Sequence, residues 1–361
     1  MAMFSREATG LRLERMRASA QYADGHFVNT YPSSAPPATG DRPTLRDFFF
    51  RNEGREPTQP LPALDPRAAW TRPVSTGLRT TWLGHSTVLL EIDGVRVLTD
   101  PVWGERASPF SFMGPKRFQP VPVDIAALPP LDAILISHDH YDHLDYPSIR
   151  ALTALGVPFI TSLGVGMHLE AWGVPADRII ELDWWEHVSL PRGLTITAAP
   201  SHHFSGRGLR DRNTTLWSSF VLRGEKHSVF FSGDTGLSPA FEEIGRRLGP
   251  FDVVMIEVGA FHPSWGNVHL GPENALQAWS QLSSGRLLPV HWGTFNLAMH
   301  PWEEPAEVLL ANAPEGLLMP RIGEAVEPAL VETVQPWWRG AVASRGKHVT
   351  PRIPDLLVQK D

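Results

Sequence analysis

The 361-residue sequence contains no cysteine. Disulfides, thiolate zinc sites and a cysteine nucleophile are therefore excluded, and any metal must be held by histidine and carboxylate. Excess positive charge is missing too. The formal net charge is −7, which argues against a nucleic-acid partner, because such proteins carry a basic stripe. No window approaches the roughly 18–20 apolar residues that a membrane-spanning helix needs. The first residues, Met1 to Ala8, mix charges early and hold no apolar core, so no secretory signal is expected. Cytoplasmic residence is the expectation, with room left for peripheral membrane contact. No short repeat or low-complexity tract is present. What remains is the composition of a soluble globular enzyme, 42% hydrophobic and 20% charged.

Residues 1–75 read as an N-terminal extension that wraps the core. Leu11, Leu13, Met16 and Ala20 fall on one face of a short helix. Tyr31–Gly40 and Pro57–Pro66 have loop composition, and Leu45–Phe50 is a short apolar piece between them. From Leu78 the texture changes. Arg79–Leu83, Thr87–Ile92 and Val95–Thr99 predict strands, with a hairpin turn at Asp93-Gly94. Further strands are expected at Ala133–Ser137, Phe159–Thr161, Leu194–Ala198, Ser218–Leu222, Ser228–Ser232, Val253–Val258 and Leu287–Val290. Helices are expected at Tyr146–Leu155, Gly166–Trp172, Pro239–Leu248, Pro272–Leu282 and Pro305–Ala313. Hairpins followed by alternating strands and helices occur twice. That pattern predicts two packed sheets with helices outside, an α/β fold. One main domain is expected over 76–330, and 331–361 reads as a tail.

Four potential metal ligands, His138, His140, Asp142 and His143, crowd into six positions at the end of the apolar run Ala133–Ile136. Imidazoles and a carboxylate packed this closely near a core stay unsatisfied unless a cation joins them. Other strand ends repeat the theme. His202 and His203 follow Thr195–Ser201. Asp234 follows Val229–Ser232, held between glycines. His291 follows Leu287–Val290.

These segments resemble the metallo-β-lactamase-fold hydrolases, and within them the N-acylphosphatidylethanolamine-hydrolysing phospholipase D family. The resemblance rests on Thr81-Trp-Leu-Gly-His-Ser-Thr87, Leu98-Thr-Asp-Pro-Val-Trp103, Ser137-His-Asp-His-Tyr-Asp-His143, His203-Phe-Ser-Gly-Arg-Gly208, Gly233-Asp-Thr-Gly236, Val268-His-Leu-Gly-Pro-Glu273 and His291-Trp-Gly-Thr-Phe295. It extends weakly to Phe27-Val-Asn-Thr-Tyr-Pro32. It implies a four-layer αββα sandwich and two divalent ions, with Zn²⁺ expected first and Mn²⁺ or Fe²⁺ suited by the same ligands. One ion is implied on His138, His140 and His203, the other on Asp142, His143 and His291, with Asp234 bridging. His203 takes the ligand role because the family places its ligand before an aromatic, here Phe204; His202 is left as a neighbour.

Asp142, Asp234 and His269 are then the residues expected to carry the chemistry. A hydroxide shared by the metals attacks phosphorus, and His269 assists the leaving group. Asp100 is expected to orient a ligand histidine. Arg207 is the arginine chosen to meet a phosphodiester, from Arg207, Arg210 and Arg212. His85 reads equally as a site residue and as a core or turn histidine. Phe48–Phe50, Trp184-Trp185, Phe261, Trp265 and Trp337-Trp338 are candidates for an acyl groove or a bilayer contact. The implied substrate is a small-molecule or lipid phosphodiester. The alternative on the same fold is a lactonase or β-lactamase-like acyl hydrolase. A non-enzymatic metal-dependent scaffold is the rival from another class. Metal identity, physiological substrate and oligomeric state are not encoded in these motifs.

Overall fold

The computed structural model describes residues 7–32, 54–282, 284–313 and 315–341. The expected apolar piece at Leu45–Phe50, including the Phe48–Phe50 cluster, lies outside these ranges, as do residues 342–361.

An N-terminal helix α1 (Gly10–Ala18) is followed by a two-stranded hairpin, β1 (Tyr22–Ala23) and β2 (His26–Phe27), and a short helix α2 (Arg67–Trp70). The first large sheet opens as a meander of β3 (Leu78–Gly84), β4 (Thr87–Ile92) and β5 (Val95–Thr99). Asp93 and Gly94 both take positive φ, +49° and +83°, the backbone that a tight turn between twisted strands requires. Then β6 (Ala133–Ile136), β7 (Phe159–Ser162) and β8 (Ile179–Leu182) add in parallel. Helices α3 (Tyr146–Leu152) and α4 (Gly166–Ala171) make the crossovers. Asp145 caps α3 by accepting from Ser148 N, which fixes where the ligand-bearing loop ends. A late strand, β15 (Ala325–Val326), pairs with β3.

The second sheet repeats the plan. Strands β9 (His187–Ser189), β10 (Thr195–Ala199), β11 (Ser219–Arg223) and β12 (Ser228–Phe231) run antiparallel to their neighbours. Strands β13 (Phe251–Glu257) and β14 (Ser284–Val290) extend it in parallel. Helices α5 (Ala240–Leu248), α6 (Gly271–Gln281) and α7 (Glu304–Asn312) accompany them. The strand orders are β15-β3-β4-β5-β6-β7-β8 and β14-β13-β12-β11-β10-β9.

Alternation along the strands decides which layer each side chain joins. Val88 and Leu90 of β4 point between the sheets and share one core with Phe220, Leu222 and Val229. Leu89 points outward and packs with Ile149, Leu152 and Leu169 of the helical layer. The parallel strand β6, Ala133-Ile-Leu-Ile136, is buried on both faces, as parallel strands under helices are. The result is the αββα sandwich. The described parts of the extension lie on this core: Met16 packs with Leu163, Trp184 and Trp217, and Arg12 Nε donates to Glu181 Oε2 at 2.7 Å. Trp338 is fully buried in the central cluster, so the described start of the C-terminal segment packs onto the domain.

Candidate metal centre

All the clustered histidines stand at strand ends on one edge of the sandwich. Strand β6 delivers Ser137 to a carboxylate waiting at the end of β5. Ser137 N donates to Asp100 Oδ1 at 2.7 Å and Ser137 Oγ to Oδ2 at 2.6 Å. Past that clamp the chain turns into His138–His143. His138, His140, His203 and Asp234 each bring one ligand atom, all within 4.8 Å of one another. His85, Asp142, His143 and His291 form a second such group. Asp234 Oδ2 stands between them, 3.8 and 3.7 Å from His138 Nε2 and His203 Nε2, and 3.1 and 3.2 Å from His143 Nε2 and His291 Nε2. The structure thus brings all seven expected ligands together around one carboxylate.

The backbone that holds Asp234 depends on glycine at two places. Gly233 has φ +53°, and a Cβ there would stand 2.7 Å from Ser137 Cβ. A Cβ on Gly236 would fall 1.3 Å from Asn267 O. Three larger residues of the site also adopt positive φ: His85 at +52°, Asp100 at +32° and His291 at +64°. Such conformations cost free energy and persist where surrounding structure imposes them, often at functional sites.

Hydrogen bonds at the outer ring nitrogens decide what the inner nitrogens present. His203 Nδ1 lies 2.8 Å from Val268 O and His143 Nδ1 lies 2.7 Å from Asp100 Oδ2. A carbonyl or carboxylate can only accept, so each Nδ1 carries a proton and each Nε2 faces the centre. Burial keeps the His203 ring neutral there, whereas at His143 the Asp234 and Asp142 carboxylates outweigh burial and raise the ring well above the ordinary histidine range. His138 Nε2 and His203 Nε2 converge on His140 Nδ1, at 2.8 and 3.2 Å. Burial pushes the His138, His140 and His203 rings below their ordinary range, which keeps them neutral and able to coordinate. Burial also pushes on the His291 ring, but the Asp234 charge and the bonds to Asp142 and Asp234 outweigh it and lift the ring to about 10. This half of the site therefore favours positive charge. His143 Nε2, His291 Nε2 and Asp234 Oδ1 are buried without a hydrogen-bond partner. Neutral imidazoles on one side, paired carboxylates on the other and unmatched atoms between them fit two divalent cations.

Around this centre the structure adds residues that the sequence left aside. His85 Nε2 meets Asp142 Oδ2 at 3.0 Å, and its ring lies 4.1 Å from that of His291. Trp82 Nε1 and His291 N both donate to His85 O, so the residue ties β3 to the late histidine. Its motif position after the first strand was the available signal. Glu257 ends β13, fully buried, with Oε1 accepting from Thr235 N at 2.6 Å and Oε2 meeting His269 Nδ1 at 2.7 Å. A lone carboxylate within Val253-Val-Met-Ile-Glu-Val258 marked it. Asn29 of the extension clamps the backbone of a ligand: its Nδ2 donates to His203 O at 2.9 Å and its Oδ1 accepts from His203 N at 3.2 Å.

His269 lies at the rim, its ring 5.0 Å from that of His203 and 5.4 Å from that of His291. Burial lowers its proton affinity, yet the Glu257 carboxylate more than compensates and raises it. His202 is buried beside the centre, its backbone N donating to Thr235 Oγ1. Arg207 turns away from where a substrate would sit. Its guanidinium is buried, stacked over Tyr141, with Nη1 donating to Asp139 O and Leu144 O. A cation nested against those carbonyls braces the ligand loop from behind, so the phosphate contact expected of Arg207 is replaced by this one. Trp184 and Trp338 are buried and Trp185 and Trp337 half-buried against the core, because their rings fill gaps between layers. Phe261 and Trp265 instead line a cavity of about 260 Å³ with Leu270, Val308 and His269.

A family model described as a beta-lactamase superfamily domain matches residues 95–292. An uncharacterized protein of Mycobacterium tuberculosis is 47% identical over 332 residues, spanning 89% of this chain and 88% of the relative. The N-acyl-phosphatidylethanolamine-hydrolyzing phospholipase D 1 of Caenorhabditis elegans is 40% identical over 231 residues, 61% of this chain and 65% of that protein. Among solved structures, an isothiocyanate hydrolase from Delia radicum gut bacteria shares the fold with a TM-score of 0.57 at 21% identity, covering 69% of this chain and 98% of that one.

Proposed function

The chain belongs to the beta-lactamase superfamily and is a metal-dependent hydrolase, and within that family we propose that it cleaves phosphodiesters in the manner of a phospholipase D. N-acylphosphatidylethanolamine-like lipids are the proposed substrates. The observation that carries this reading is the His269–Glu257 pair at the rim of the metal cluster. Glu257 holds the proton on Nδ1 and fixes the ring, which leaves Nε2 as the atom for proton transfer. An alkyl leaving oxygen departs far more readily when an imidazole protonates it. The adjoining cavity, walled by Phe261, Trp265, Leu270 and Val308, offers apolar contact to the departing group. The likeness to the phospholipase D relative from Caenorhabditis elegans supports the same substrate class.

His138, His140 and His203 would hold one cation, Asp142, His143 and His291 the other, and Asp234 both. Bound there, the pair would supply Lewis acidity toward phosphoryl oxygens and an activated nucleophile. The chain's own part is positioning. Asp100 fixes the tautomer of His143, Val268 O that of His203, and His85 the carboxylate of Asp142.

Turnover of four substrates by metal-loaded protein tests the reading: N-acylphosphatidylethanolamine, bis(4-nitrophenyl) phosphate, a lactone and a chromogenic β-lactam. Hydrolysis of the two diesters is expected. Turnover of the lactone or lactam alone would move the chain to the acyl hydrolases. His269→Ala is expected to keep its metals and lose about 10²–10⁴-fold in kcat on an alkyl diester. On the nitrophenyl diester, whose leaving group needs no proton, the loss should be much smaller. Equal losses on both would remove the leaving-group role.

A further inference from the structure

Between the Asp100 end of β5 and the His291 loop, residues 105–117 fold back as a narrow finger. Arg106 and Lys116 form an antiparallel bridge. Ala107 N donates to Pro115 O at 3.0 Å and Arg117 N to Glu105 O at 2.8 Å. Inside the finger, Arg106 Nε donates to Ser111 O and Nη1 to Gly114 O. Gly114 takes φ +104°, and a Cβ there would stand 2.6 Å from Ser108 Cβ. These hydrogen bonds and this packing shape the tip.

That shaped tip is apolar. Phe110, Phe112 and Met113 are 37%, 76% and 52% exposed, and the two phenyl rings stand 5.5 Å apart. Arg106 and Lys116 flank the tip and Glu105 stands at the base of the finger, while the Arg117 guanidinium turns inward onto the carbonyls of Val102, Gly104 and Gln119. Clustered exposed apolar groups mark interaction sites. Three side chains fall well short of the roughly 800 Å² per partner that a stable protein interface buries. Aromatic and thioether groups flanked by Arg106 and Lys116 suit a lipid surface instead, where rings lodge at headgroup depth and cations meet anionic lipid.

The finger is rooted in the metal centre. Phe118 N donates to Thr294 O, Arg117 lies 4.5 Å over the Phe295 ring, and that ring meets His85 edge-on at 5.2 Å. We propose that the finger inserts Phe110, Phe112 and Met113 into the surface of an anionic bilayer and so brings the metal centre to the headgroup layer. The choice of lipid as partner rests on the diester reading above; the surface itself rests on the finger.

Flotation of the full metal-loaded chain with vesicles of phosphatidylcholine, with and without phosphatidylglycerol, tests this. The protein should float with the anionic vesicles. Phe112→Ser/Met113→Ser should weaken that binding by at least about tenfold, the scale set by burying one large apolar side chain. Lys116→Gln should weaken it about fivefold, and only on vesicles containing phosphatidylglycerol. Hydrolysis of soluble bis(4-nitrophenyl) phosphate should be unchanged in both variants. Because the chain has no cysteine, Phe112→Cys carrying an environment-sensitive dye reports insertion directly, and its emission should shift to the blue with anionic vesicles. Wild-type protein that stays unbound, finger variants that bind like wild type, a dye that does not respond, or variants that alter only self-association by sedimentation would each overturn the proposal. Vesicle binding through the tip without turnover of any phospholipid would sink the lipid-diester reading and leave the surface standing.

Discussion

Asp234 and Asp100 carry the same charge into the same few ångströms of protein and do different things there. Asp234 Oδ2 faces four histidine nitrogens from both halves of the centre. Asp100 meets one histidine from its outer side and holds Ser137. Asp234→Asn should therefore abolish binding of both cations. Asp100→Asn, which loosens one ring and disturbs its tautomer, should cost about 10–100-fold in metal affinity or activity. Isothermal titration of each variant with Zn²⁺, beside circular dichroism to check folding, compares them; a larger defect in Asp100→Asn would reverse the assignment. His85→Ala tests a subtler dependence. It removes one partner of Asp142 Oδ2, leaving His143 and His291, and leaves the His138, His140 and His203 group untouched. Competition with a graded chelator should show one of two ions weakened by about 10–100-fold. Equal weakening of both ions, or of neither, would deny His85 this positioning role. The seven converging residues were legible because each lies in a loop that follows an apolar strand and matches a motif of the resemblance, which also chose His203 over His202. His85 was legible only in part: its motif position left a turn histidine equally open, and its value comes from contacts with residues 57 and 206 positions away, Asp142 and His291.

At the scale of elements, apolar runs bounded by turns located ten strands of the two large sheets, most within one or two residues of their ends. Three strands escaped. Strand β8, Ile179-Ile-Glu-Leu182, is half-buried and follows a turn of 3₁₀ helix. Strand β9 is three residues of mixed polarity, and β15 is two. Pairing with a neighbour makes each of them a strand, and pairing is not written locally. Arg207 was misread for a related reason. An arginine after a ligand histidine suggests phosphate, but whether it faces the cavity depends on how the loop folds back. Gly206 N donates to Asp139 Oδ1 and Arg207 N to Asp211 Oδ2, and these bonds turn the side chain under the ligand loop. Arg207→Met should leave the carbonyls of Asp139 and Leu144 short of a donor, at about 1–3 kcal/mol for each buried group left unmade. Calorimetry should record a melting temperature lower by several degrees, together with weaker metal binding. Unchanged stability with a raised KM for diesters would instead restore Arg207 as a phosphate contact.

Across the whole molecule, the metal centre joins the two halves of the sandwich. His138, His140, Asp142 and His143 follow β6 of the seven-stranded sheet; His203, Asp234 and His291 follow β10, β12 and β14 of the six-stranded one. Apolar packing joins the two sheets through one shared core. At this edge, however, carboxylates and imidazoles meet across the interface, and two carboxylates of like charge, Asp142 and Asp234, share the rings of His143 and His291. Cations bound here would act as cross-links between sheets as well as supplying chemistry. Reloaded protein should contain about two divalent ions per chain, the number that bridged sites of this kind hold. Stripping them should lower the melting temperature, because a ligand that binds only the folded state stabilises it by about 2.7 kcal/mol at a hundred times its Kd. The loss should grow with free metal concentration in the reference sample, and differential scanning calorimetry across a Zn²⁺ series measures it. Amide exchange should rise first at the ends of β6, β10, β12 and β14, where the ligands leave the sheets, and least in the middle of β13. Elemental analysis giving one ion or none, or a melting temperature indifferent to chelator, would mean that the edge closes without metal and that Asp234 is not a shared ligand.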